Sequence, residues 1–147
     1  MPQHFGERFF LYFCAVISNE LEYRVRQSFK YSPTPDQVQA IKVFCDFITD
    51  SRPQTAMILR GSAGTGKTSL AGAFVRSLVE LKMKVVLLAP TGRAAKVFSL
   101  NSGQPAYTIH RKIYRQQGYG IDAFGLAENK HTDTVFIVEE ASMLQHG

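Results

Sequence analysis

Gly61-Ser62-Ala63-Gly64-Thr65-Gly66-Lys67-Thr68 decides how this chain is to be read. It satisfies G-x-x-x-x-G-K-[ST], the phosphate-binding P-loop. Ahead of it, Ala56-Met57-Ile58-Leu59-Arg60 is a short apolar run that reads as a buried strand. Behind it, residues 69–80 read as a helix, and strand, glycine loop and helix together are the context the motif requires. The residue types follow from the chemistry. Gly61, Gly64 and Gly66 let backbone N–H groups approach phosphate oxygens. The helix opening at Lys67 turns its positive dipole end toward the same anion. Lys67 is expected at the β- and γ-phosphates and the Thr68 hydroxyl on Mg²⁺, so the implied ligand is Mg·ATP or a related nucleotide. Expected nucleotide contacts run through Gly61-Ser62-Ala63-Gly64-Thr65-Gly66-Lys67-Thr68-Ser69. The competing reading is a glycine-rich turn that binds nothing.

Working outward, Lys84-Val85-Val86-Leu87-Leu88-Ala89 and Thr134-Val135-Phe136-Ile137-Val138 are further continuous apolar runs and read as buried strands. Helices are expected over 93–100, after the Pro90-Thr91-Gly92 turn, and over 108–114. Residues 116–133 are polar and glycine-containing and read as a mobile insertion. Toward the N-terminus, Thr34 reads as a helix N-cap, with Pro35 at the first helical position and Gln37 three residues after the cap. Val38, Ile41, Cys45 and Ile48 form the apolar stripe of that helix. A separate amphipathic helix is expected over 19–29, after Ser18. Before it, residues 9–17 form an apolar run too short to span a bilayer. The run reads as a helical extension; a signal peptide is the competing reading, but no small-residue cleavage site follows. Strands apolar throughout and alternating with helices indicate an α/β domain with a parallel sheet.

A P-loop needs an acidic partner at the end of another buried strand. Val138-Glu139-Glu140 supplies two. Glu139 is assigned to the water shell of the metal and Glu140 to the base that orients or deprotonates the attacking water. The competing reading is two solvated acids at a strand end.

The chain has 147 residues and a formal net charge of +5, enough for one domain with its own core. Nine of its 17 basic residues fall within 61–120, against the single acid Glu80. Phosphate binding accounts for part of that excess, and a polyanion such as nucleic acid for more; a solvated basic face is the alternative. Cys14 and Cys45 match no metal or redox spacing and read as buried thiols, which suits a cytoplasmic protein with no structural metal.

Taken in order, the P-loop, Ala89-Pro90-Thr91-Gly92-Arg93-Ala94-Ala95, Thr108-Ile109-His110 and Glu139-Glu140-Ala141-Ser142-Met143 resemble the first motor domain of superfamily 1 DNA helicases of the RecD/Dda type. The resemblance covers about residues 33–147, leaving 1–32 as an N-terminal helical extension. It implies a RecA-like parallel sheet flanked by helices and ATP-driven 5′-to-3′ movement on single-stranded DNA. By resemblance, Gln37 reads adenine, its amide both donating and accepting; a capping role for Gln37 is compatible with this. Pro90, Thr91, Gly92 and Arg93 match a segment lying against the DNA strand, although an ordinary helix N-terminus would look the same. Thr108 and His110 match a second DNA-facing segment, with a packed core histidine as the alternative. Tyr107 and Tyr114 read as core-packing residues, with base stacking as the alternative.

One position departs from the family, which usually carries Asp-Glu where this chain has Glu139-Glu140. Glu is one methylene longer and Mg²⁺ geometry is exacting, so hydrolysis is expected to suffer more than binding. The family also implies a second RecA-like domain carrying an arginine finger, worth on the order of 10³–10⁵ in turnover in comparable NTPases. No such core is present in the 147 residues. The sheet is therefore expected to be incomplete at its C-terminal side, and the chain by itself to bind Mg·ATP without unwinding DNA. The alternative is a nucleotide-dependent DNA-binding or regulatory module without motor activity; no membrane partner is expected.

Overall fold

The computed structural model describes residues 2–29, 31–50, 52, 54–62, 66–116, 124–126 and 134–140, with side chains except those of residues 2–14, 113–116 and 124–126. The chain divides into two compact units, Met1–Ser77 and Leu78–Gly147.

The first unit is helical. α1 runs without interruption over Pro2–Ser28, so the expected break at Ser18 does not occur. Serine favours an N-cap, yet in a helix interior it costs only a few tenths of a kcal/mol. Leu21 and Val25, one helical turn apart, are fully buried, and Glu20–Arg24 and Glu22–Arg26 pair along the exposed side, each at 2.8 Å. α2 spans Pro35–Ile48 and starts as the sequence requires. The Gln37 N–H donates to Thr34 Oγ1 at 3.3 Å while the Thr34 N–H donates to Gln37 Oε1 at 2.9 Å, a reciprocal capping box. Ile41, Phe44 and Cys45 form its buried stripe, with Phe44 in the place the sequence reading gave to flanking residues. The Phe44 ring stacks on Phe74 of α3 (Lys67–Glu80), centroids 3.8 Å apart and planes within 6°. Arg76 Nη2 donates to the Ser28 carbonyl oxygen at 3.3 Å and ties α3 to the end of α1.

Burial pushes the Cys45 thiol up to about 12 from an ordinary 9.0, with Glu22 and Asp46 adding to the shift. At pH 8 the thiolate fraction is then roughly one in ten thousand, and thiolate is the reactive form. In a Cys14→Ser background, iodoacetamide is expected to leave the folded chain unlabelled and to label it on unfolding; labelling of the folded chain at the rate of a free thiol would contradict this burial. A raised folded pKa also fixes the sign of the pH effect. The contribution to stability is complete below about pH 9 and is lost as the pH rises toward about 12.

The second unit is built on a sheet. β1 (Lys84–Ala89) lies between β2 (Ala106–Thr108) and β5 (Thr134–Val138), all parallel. Leu87 faces Ala106 and Ile137, and Leu88 faces Tyr107 and Val138. The crossover from β1 to β2 is α4 (Gly92–Ser102), capped by Thr91 and stopped by Gly103 at φ 74, a left-handed position that glycine takes without strain. Leu87, Ala89, Ala95 and Phe98 form the core of this unit. α3 ends where Lys82, at φ 59, lets the N–H groups of Lys82 and Met83 reach back to Val79 and Leu78.

Three expectations change. Residues 56–60 pair with no strand among the described residues, and Ile58 is 75% exposed. The run keeps the alternation of an extended segment, Met57 and Leu59 half-buried and their neighbours exposed, but a strand is made by ladder partners, and among the described residues these five have none. β2 occupies the start of the expected helix, which shortens to α5 (Ile109–Ile113). Within the expected insertion, Gln116 and Phe124–Leu126 pair instead, in an antiparallel ribbon of β3 (Tyr114–Gln116) and β4 (Phe124–Leu126); its other residues lie outside the described ones. Among the described residues no helix is long and apolar enough to cross a membrane.

Candidate functional site

In the first unit three predicted residues converge. Gly66 sits at φ 79, just before α3 begins, where a side chain is strained. A Cβ on Gly66 would lie 2.7 Å from Gln37 Nε2. The capping box thus turns the Gln37 amide nitrogen toward the P-loop while its oxygen serves Thr34. Lys67 folds back over the loop, its Nζ donating to the carbonyl oxygens of Gly61 and of Ser62, the latter at 2.9 Å. Thr68 is half-buried and Ser69 exposed on the first turn of α3. Ala63, Gly64 and Thr65 lie outside the described residues. The cradle fits a nucleotide phosphate. A helix N-terminus and a glycine that keeps the loop backbone open are features such a ligand needs; Lys67 would reach it by leaving the carbonyl oxygens of Gly61 and Ser62.

In the second unit, Glu139 and Glu140 follow β5 directly. The Glu139 N–H donates to the Leu88 carbonyl oxygen at 3.0 Å, extending the β1–β5 pairing by one step and fixing the strand end. Glu140 stands exposed at φ 53. Such a conformation costs a non-glycine residue on the order of 1–3 kcal/mol and collects at functional positions. Ala141, Ser142 and Met143 lie outside the described residues.

Pro90 is half-buried and Thr91, Gly92 and Arg93 are exposed at the start of α4. Thr91 Oγ1 accepts from the Ala94 N–H at 3.1 Å, so this residue has a structural duty whatever else it contacts. Thr91→Ala is expected to cost about 1 kcal/mol of stability and Thr91→Ser almost none, read from denaturant midpoints; equal loss in both would remove the cap as the cause. Thr108 Oγ1 accepts from the Arg111 N–H at 3.2 Å and starts α5 in the same way. His110 is exposed, which removes the packed core histidine from consideration. Gly92 and Thr108 line one open groove of about 320 Å³ between α4 and β2. The sequence reading left Lys96 and Arg111, also in its lining, unassigned; Lys96 lies one helical turn beyond Gly92, a spacing that could have revealed it. Tyr107 is 39% exposed, against the core-packing reading; the Tyr114 side chain lies outside those described. Among the described residues no group of three or more His, Cys, Asp or Glu could hold a metal ion.

The profile of the AAA domain family matches residues 33–147. The chain is 34% identical over 92 residues to the ATP-dependent RecD2 DNA helicase of Deinococcus radiodurans, covering 60% of this chain and 12% of that protein. No solved structure matches it. The resemblance read from the four motifs therefore holds, and so does the P-loop α/β architecture: over residues 33–147 the chain belongs to the AAA domain family, as a helicase-like nucleotide-binding module.

Proposed function

We propose that residues 33–147 are part of a RecA-like ATPase domain, preceded by a helical extension, and that the domain serves a cytoplasmic DNA helicase moving 5′ to 3′ on single-stranded DNA. The observation that carries the reading is the convergence of the Gln37 amide, Gly66 and the Lys67 ammonium at the mouth of α3. ATP is the substrate, its phosphates on the loop backbone and Lys67, and its base against Gln37. Thr68 and, through the water shell, Glu139 would hold Mg²⁺, which neutralises phosphate charge when bound. Glu140 holds the proton of the attacking water. Pro90, Thr91, Gly92, Arg93, Thr108 and His110 form the DNA-facing set. The relative named an ATP-dependent DNA helicase supports the substrate class. Because this chain spans only 12% of that protein, unwinding is assigned to the whole helicase, completed by a second RecA-like domain.

Glu139, where the resemblance leads one to expect Asp, favours a second reading, a nucleotide-dependent DNA-binding module that hydrolyses little. Titration of the 147-residue chain with Mg·ATP, with and without a single-stranded oligonucleotide, tests both. ATP binding altered by DNA supports a coupled site. ATP binding indifferent to DNA removes the DNA-facing assignments, and no binding by the folded chain removes the nucleotide assignment. Phosphate release separates the helicase ATPase from the binding module.

A further inference from the structure

We infer that the groove between α4 and β2 is a one-base subsite for single-stranded nucleic acid in which Tyr107 is the stacking platform. The inference rests on the DNA-facing reading and adds residues that reading does not contain. The groove is lined by Gly92, Lys96, Leu100, Tyr107, Thr108 and Arg111 among others. Its volume of about 320 Å³ lies at the small end of ligand cavities, roughly 300–1,000 Å³, which suits a single nucleotide rather than a duplex.

Three features select this occupant. Charge comes first: Lys96 and Arg111 both line the groove, and the chain has no Asp or Glu between residues 81 and 121. Among the described residues neither cation has an ion-pair partner, and a cationic wall of this kind draws a phosphodiester. Shape and polarity come second. Leu100, 76% exposed, and Tyr107 place apolar surface among those cations, an arrangement suited to the face of a base and poorly suited to phosphate alone. The third feature is the bracing of the ring, with Lys112 Nζ over Tyr107, 5.1 Å from its centroid. A cation on an aromatic face fixes the ring and leaves the platform ordered before the base arrives. The parallel ladder explains why the ring is presented at all. Tyr107 pairs in register with Leu88 at the middle of three-residue β2, which is the edge of the sheet among the described residues.

The chain contains no tryptophan, so Tyr107→Trp introduces a single reporter at the platform. Titrated with oligothymidylate, the 147-residue variant is expected to lose tryptophan emission, whereas an abasic oligonucleotide of equal length should leave emission unchanged. By anisotropy, Tyr107→Ala should bind oligothymidylate about ten- to a hundredfold more weakly, Tyr107→Phe should bind as the parent does, and the abasic strand should not distinguish the parent from Tyr107→Ala. Unchanged affinity in Tyr107→Ala, together with unquenched emission in Tyr107→Trp, would overturn the subsite while leaving phosphate contacts at Thr91 and Arg93 intact. Equal binding of heparin and oligothymidylate would overturn it as well, by reducing the groove to a general polyanion surface. Failure of the parent chain to bind any oligonucleotide would remove the DNA reading itself and the subsite with it.

Discussion

Lys67→Ala is expected to weaken Mg·ATP binding by roughly a hundredfold or more, read by calorimetric titration. Hydrogen bonds to charged groups contribute about 1.5–3 kcal/mol each, and a lysine reaching two phosphates makes at least two. Against this stands what the ammonium gives up. Its Nζ already donates to the carbonyl oxygens of Gly61 and Ser62, so binding exchanges neutral acceptors for charged ones. A net of about 3 kcal/mol corresponds to about a hundredfold in Kd. Lys67→Arg keeps the charge and should recover little, because a planar guanidinium cannot replace a compact ammonium held against the loop carbonyls. Stability should change by under about 1 kcal/mol, since Lys67 is only half-buried. Parent-like ATP affinity in Lys67→Ala would reduce the residue to a loop clamp and remove the phosphate assignment.

How much of this was legible in the sequence depends on how local each feature is. The capping box of α2 is a relation between residues three apart, and Thr34, Pro35 and Gln37 spell it out. The caps of α4 at Thr91 and Gly103 are of the same kind. β1 and β5 are long enough apolar runs to be recognised without their partners. β2 is three residues long, and it is a strand only because β1 lies beside it in register. Residues 56–60 show the converse: an apolar run with the composition of a strand and no ladder among the described residues. Ser18 misled because serine suits a helix start yet costs only a few tenths of a kcal/mol inside a helix, so its presence alone does not mark where α1 begins.

The site divides along the same line. Residue types at the P-loop are dictated by phosphate chemistry and could be named from spacing alone. That the Gln37 amide stands against Gly66, 29 residues later, is visible only in the fold. Resemblance can suggest it, but neither local pattern refers to the other. Thr91 and Thr108 carry structural hydrogen bonds as well as their assigned contacts, a double duty that one sequence cannot separate. In the sequence Lys96 and Arg111 belong only to the basic excess of residues 61–120, and it takes α4 and α5 to bring them to one groove.

Gly66→Ala is expected to destabilise the chain by about 2–3 kcal/mol and to weaken ATP binding, and the two effects have a common origin at Gln37. Alanine at φ 79 carries a steric cost of about 1–2 kcal/mol. Its Cβ would also stand 2.7 Å from Gln37 Nε2, too close for the amide to remain. Swinging the Gln37 side chain aside releases the Thr34 N–H from its Oε1, now at 2.9 Å, and loss of a helix cap contact costs about 1 kcal/mol. The capping box and the glycine are therefore one device. Gly66 leaves the amide its room, and the cap holds the amide against the loop, where the proposed adenine contact would use it. A double-mutant cycle measures this directly. With Gln37→Ala in the background, the Gly66→Ala penalty in denaturant midpoint should fall to the backbone strain alone, about 1–2 kcal/mol, because no amide remains to be displaced. ATP affinity of the double variant should be no lower than that of the weaker single variant. Strict additivity in both measurements would mean that the amide and the glycine act independently, and that Gln37 is a helix cap with no part in the nucleotide site.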